Sequence, residues 1–192
     1  MTVLLIGLVL FFALHSVRIV ADGFRSSAVA RIGLMPWKGV YAVLSIIGFV
    51  LIVWGYGLAR AEPVVLYTPP VWTKQIAALL TIPAFILLAA AYVPGTRIKR
   101  LVGHPMVAGT KIWAFAHLIS NGTLADVLLF GAFIVWAVLA YTSLRRRDRA
   151  AGKVYVAGPI TRDATAVIVG LLGWAIFALF LHGPLIGVRP FG

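Results

Sequence analysis

Five long runs of apolar residues leave this chain little choice of fold. Thr2–Val20, Gly39–Leu58, Lys74–Val93, Leu124–Tyr141 and Ala164–Leu181 are each almost free of charge and are separated by short connections rich in Arg, Lys, Pro and Gly. About 20 apolar residues are needed for a helix to cross the ~30 Å hydrocarbon core of a bilayer. Of the 192 residues, 62% are hydrophobic and 11% charged, more apolar surface than a soluble core can hide. No long polar stretch leaves room for a separate soluble domain, so residues 1–192 are expected to form one all-α transmembrane domain.

Between the third and fourth of these runs, Arg97–Gly122 breaks the pattern. It places His104, Lys111, Trp113, His117 and Asn121 in what would otherwise be another apolar helix, and polar groups are costly enough in lipid to suggest a function. Pro105 restricts His104 to extended angles and suits a first helical position, so a helix is expected from Pro105 to about Ser120 with His104 at its cap. On that helix the thirteen residues from His104 to His117 amount to ~20 Å along the axis and ~220° around it, so the two cannot hold the same ion. Thr110, Trp113, Ala114, His117 and Asn121 share a partly polar face suited to a bundle interior.

Counting this helix as a crossing gives a bundle of about six transmembrane helices, and the basic residues support that count. Arg18, Arg25, Arg31 and Lys38 in the first connection, Arg97, Lys99 and Arg100 in the third, and Arg145, Arg146, Arg147, Arg149, Lys153 and Arg162 in the fifth then share one side. Only Arg60, Lys74 and Arg189 fall on the other. By the positive-inside rule the crowded side is cytoplasmic, both termini are periplasmic, and the protein is a multi-pass component of a bacterial inner membrane. The formal net charge of +12 therefore reports topology rather than nucleic-acid binding. No positive charge precedes the first run, and the cleavage-like Ser27-Ala28-Val29-Ala30 lies beyond Arg18, Asp22 and Arg25, so that run is expected to be retained.

The chain has no cysteine, which excludes disulfides, thiolate ligands and iron–sulfur clusters. Any metal would rest on nitrogen or oxygen donors. His117 is the better ligand candidate, His15 faces the polar end of the first helix with Arg18 and Asp22, and His104 and His182 suit caps or interfaces. A lone membrane histidine is more often a helix-bridging or interfacial residue than a ligand. The acidic residues Asp22, Glu62, Asp126, Asp148 and Asp163 are too scattered for a zinc site. Two axial histidines from different helices holding a haem use these donors more economically. Lys111 and Arg18 read as side chains snorkelling to the interface or as partners of a propionate, and Trp113 as packing or as the wall of a cofactor pocket.

Several segments carry a resemblance: Phe12-Ala13-Leu14-His15-Ser16, Pro36-Trp37-Lys38-Gly39, Val53-Trp54-Gly55-Tyr56-Gly57, Phe85 to Gly95, His104-Pro105-Met106, and Lys111-Ile112-Trp113-Ala114-Phe115-Ala116-His117-Leu118 followed by Asn121-Gly122. Together they resemble the NnrU family of bacterial membrane proteins over most of the chain. That family is associated with denitrification and nitric oxide metabolism and is similar to the plant 15-cis-zeta-carotene isomerase, a membrane enzyme that uses haem b. The resemblance implies haem b held by His15 and His117, with Arg18, Lys111 and Trp113 as further cofactor-binding residues and His104 as an alternative metal ligand. Ala114 stands where the plant enzyme has a cysteine, so a histidine-to-cysteine ligand exchange could not be copied. By depth along the helices, His15 could instead pair with His104, and His117 with His182.

The functions implied are redox or ligand-exchange chemistry at a bis-histidine haem, with nitric oxide and an electron donor as partners, or cis–trans isomerisation of a lipophilic polyene. A membrane methyltransferase is a further reading, because Arg100 to Gly109 faintly resembles the Arg-His-Pro motif of isoprenylcysteine-type enzymes. No Glu follows Glu62 to serve such a cofactor. A cofactor-free assembly protein is the last.

Overall fold

A computed structural model describes residues 1–191, and among them the repetitive structure is helical, with one isolated bridge between Val65 and Thr123. The helices are α1 (Thr2–Val20), α2 (Asp22–Ile32), α3 (Leu34–Ala61), α4 (Trp72–Tyr92), α5 (Arg97–Val102), α6 (Pro105–Ser120), α7 (Leu124–Ala150), α8 (Ile160–Ile176) and, after a π-helical turn at Phe177–Leu181, α9 (His182–Ile186). α1, α3, α4, α7 and the segment Ile160–Ile186 are long and apolar enough to cross a membrane. α6 is not among them: its 16 residues rise about 24 Å. The described residues divide into two compact units, Met1–Tyr67 with Thr123–Ala132, and Thr68–Gly122 with Phe133 onward.

In the first unit, α1 lies along α3 with backbones in near contact. A Cβ added at Gly7 would stand 2.6 Å from Ile52 N, one at Gly48 3.1 Å from Phe11 N, and one at Gly55 2.6 Å from Leu4 Cα. Lipid removes most of the hydrophobic drive for helix association, so close van der Waals packing across small residues has to supply it. Leu4 is fully buried at this seam. At the start of α7, Asp126 Oδ2 accepts from Thr123 N at 2.9 Å and Thr123 Oγ1 at 2.6 Å, and its Oδ1 accepts from Tyr56 OH at 2.5 Å. That carboxylate both caps α7 and fastens it to α3.

In the second unit, α4 is the central helix, packed by α6 and α8. Gly109 of α6 lies against the Ala84 carbonyl, and Gly170 of α8 against Ile86, where an added Cβ would be 2.6 Å from Cα. Trp174 Nε1 donates to Thr81 Oγ1 at 2.9 Å. α5 is capped twice: Thr96 Oγ1 accepts from Lys99 N at 3.0 Å, and Asp163 Oδ1 accepts from Ile98 N at 3.1 Å. Gly103, at φ 78°, then turns the chain into His104 and the start of α6.

Several expectations change. Ala21–Lys38 reads as a loop, yet Asp22–Ile32 is helical, with no buried residue and little apolar periodicity to announce it. α7 does not stop at Tyr141 but continues through Arg145–Arg149 to Ala150, because Arg is a strong helix former and the charges lie beyond the apolar run. His182-Gly183-Pro184 does not end the last helix: the backbone widens into the π turn and continues to Ile186.

The glycine seam gives a direct test. Gly55→Ala should cost about 1–3 kcal/mol, because its Cβ meets backbone that cannot rotate away. Gly57→Ala, with nothing within 4 Å, should be neutral or slightly stabilising. Thermal melting of the two variants in detergent reads the difference.

Candidate functional site

The histidines proposed as ligands are held alike. On α1, His15 Nδ1 lies 2.7 Å from the Phe11 carbonyl one turn earlier. On α6, His117 Nδ1 lies 2.9 Å from the Trp113 carbonyl, again four residues back. On α9, His182 Nδ1 lies 2.6 Å from the Val188 carbonyl. A carbonyl only accepts, so each Nδ1 carries a proton. This is the arrangement in which a second partner orients a metal-binding imidazole.

Each ring is also buttressed. His15 stacks on Phe11 with centroids 3.9 Å apart and has Tyr41 at 5.4 Å. His117 lies 5.1 Å from the Trp113 ring, which meets Phe133 edge-on at 5.3 Å. Asn121 Nδ2 donates to the His117 carbonyl at 2.8 Å, closing the end of α6.

The structure brings His117 and His182 together within the second unit. Their ring centroids are 6.5 Å apart and their planes 19° from parallel. The π turn contributes to this placement, since a wider turn changes the direction in which the next residue projects. His15 belongs to the first unit and His117 to the second. Among the described residues no group of three or more His, Cys, Asp or Glu could hold a metal ion, so imidazoles in ones and twos are the donors to consider.

Of the auxiliary residues, Lys111 places Nζ 5.2 Å from the centre of the Tyr141 ring, a cation–π contact that lowers the cost of a charge within the bundle. Arg18 lies 3.7 Å from Asp22, with both side chains more than half exposed. Trp113 packs on His117.

His104 sits in a different setting. Its Nε2 donates to Asp148 Oδ2 at 2.7 Å, and the same oxygen accepts from Tyr155 OH at 2.8 Å. Lys153 Nζ is 3.7 Å from Asp148 Oδ1. Nothing local in the sequence joins these residues, which lie 44 and 51 positions from His104. The one acid inside the Arg145–Arg149 run was the available hint.

Burial lowers the His104 pKa below the ordinary 6.5, the Asp148 carboxylate opposes that shift, and the charges of Lys153 and Arg145 add to it. The neutral ring already donates to Asp148, so that bond does not require the extra proton. A base whose folded pKa is depressed contributes stability above about pH 6.5 and loses it as pH falls through the folded value. Nuclear magnetic resonance titration should therefore give His104 a midpoint below 6.5, and Lys153→Gln should raise it. The melting temperature should fall between pH 7 and about pH 5.

The chain finds no match among the curated proteins or the solved structures. Its residues 3–190 match the family described as NnrU protein. A match over almost the whole length, spanning both the His15 and the His117 segments, shows that the chain belongs to the NnrU family.

Proposed function

We propose that the protein is a haem-b-binding inner-membrane protein, linked to nitric oxide and denitrification metabolism, with redox or ligand-exchange chemistry at a bis-histidine site. The observation that carries this reading is the shared setting of His15 and His117: each places Nδ1 on the carbonyl four residues back and its ring beside an aromatic side chain. Bound haem b would supply an iron that changes oxidation state and takes up a small ligand such as nitric oxide. In this reading His15 and His117 would hold the iron, Trp113 would wall the pocket, and Arg18 and Lys111 would pair with the propionates.

A second pairing, His117 with His182, is favoured by their 6.5 Å ring separation. Polyene isomerisation is the alternative activity. It would have to proceed without the plant enzyme's cysteine, whose place is taken by the fully buried Ala114. The topology that accompanies the proposal has α6 as a sixth crossing and both termini in the periplasm, supported by the distribution of Lys and Arg.

Visible absorption of the detergent-purified protein, before and after dithionite, tests the cofactor. A Soret band with sharp reduced α and β bands is expected. His117→Ala should abolish haem retention. His15→Ala should do the same while His182→Ala leaves it, and the reverse pattern would assign the second ligand to His182. A colourless protein that takes up no added haem would overturn the reading in favour of an assembly role.

The native chain lacks cysteine, so single introduced thiols report topology cleanly. Ser27→Cys and Ala151→Cys should both be shielded from a membrane-impermeant maleimide in intact spheroplasts, while Thr68→Cys reacts. Opposite labelling of Ser27→Cys and Ala151→Cys would remove the sixth crossing.

A further inference from the structure

His104 and Pro105 border a cavity of about 290 Å³ in the second unit, which neither His117 nor His182 lines. Lys99, His104, Lys153 and Tyr155 supply its polar wall, and Ala91 and the first turn of α6 its apolar one. We propose that this cavity binds a phosphate group.

Charge is the first argument. Lys99 reaches only a long contact, 3.4 Å, with the Ala91 carbonyl. Lys153 is half exposed and lies over the Tyr155 ring at 4.8 Å. The Arg145 guanidinium is adjacent, with Nη1 2.5 Å from where a Cβ on Gly103 would stand. Against these three cations the cluster holds one carboxylate, Asp148, whose oxygens are already engaged by His104, Tyr155 and Lys153. The surroundings of the cavity are therefore positive.

Backbone geometry is the second. α6 begins at Pro105 with no side-chain cap, because the His104 ring is turned to Asp148 instead of to the helix. α6 thus borders the cavity with its N-terminal end, Met106 and Val107 included, where the helix dipole favours an anion. Gly103 keeps this end of the cavity open: its positive φ makes the turn, and any side chain there would collide with Arg145.

A phosphate fits this arrangement better than a carboxylate. The three terminal oxygens of a phosphomonoester can meet two separated lysines and the end of α6 at once, whereas a carboxylate offers two oxygens. The apolar wall of Ala91, Pro105, Met106 and Val107 accommodates the carbon side of a phosphate ester. Soluble phosphate and the monoester headgroup of phosphatidic acid present the same chemistry.

The test uses the full-length protein. In detergent, inorganic phosphate at constant ionic strength is expected to raise the melting temperature, with chloride as the reference salt. In native mass spectrometry, protein from bilayers of mixed phosphatidic acid and phosphatidylcholine is expected to retain the phosphatidic acid if the source is lipid. Retention that added phosphate displaces assigns the headgroup, and a phosphate response without retained lipid assigns a soluble ligand. Lys99→Gln with Lys153→Gln should weaken the response at least about tenfold for each lysine removed. Arg60→Gln with Lys74→Gln should leave it unchanged. Lys99→Gln alone, which leaves the Asp148 cluster intact, serves if the double variant misfolds. A phosphate response equal to that of chloride, or one that Lys99→Gln leaves intact, overturns the proposal.

Discussion

Inside hydrocarbon a peptide N–H or C=O has no water to bond, and the structure of this protein follows from that constraint. The apolar runs satisfy their backbone groups internally as helices, and exceptions occur only where another group takes over. Asp126 caps α7, Asp163 caps α5, and Tyr141 OH donates to the Val102 carbonyl at 2.6 Å where α5 ends. The histidines obey the same accounting. His15, His117 and His182 each attach one ring nitrogen to a backbone carbonyl.

The same solvent sets how helices meet. Hydrocarbon surrounds the outside as well as the inside, so burying Leu against Leu gains little, and the seams form where glycine lets backbones approach. Gly7, Gly48 and Gly55 do this between α1 and α3, and Gly109 and Gly170 do it on two sides of α4. Helical periodicity, by contrast, gives each imidazole its aromatic neighbour one turn back on its own helix: Phe11 for His15 and Trp113 for His117.

Polar chemistry gathers in two kinds of place. His117 and His182 lie beside aromatic rings, a setting suited to a flat apolar cofactor. His104 lies among Asp148, Tyr155 and Lys153, a hydrogen-bonded charged network beside a cavity, suited to an anion from the water or the headgroup layer.

Much of this was legible in the sequence. Hydropathy alone placed the apolar helices, since a run that long has no other stable state in lipid, and α1 and α6 begin and end where the residues implied. Pro105 marked the start of α6 because its ring suits a first helical position. Helical spacing put Trp113 and His117 on one face, and the NnrU resemblance is matched over residues 3–190. What the sequence could not fix depends on contacts between distant residues or on small changes of helical pitch. α2 has no apolar stripe to reveal it, and the π turn that sets His182 near His117 leaves no compositional trace. In the sequence Asp148 is one scattered acid in an arginine run, and only the fold brings His104 to it across 44 residues. Local preference is written in each stretch of chain, whereas partnership between stretches is decided by packing.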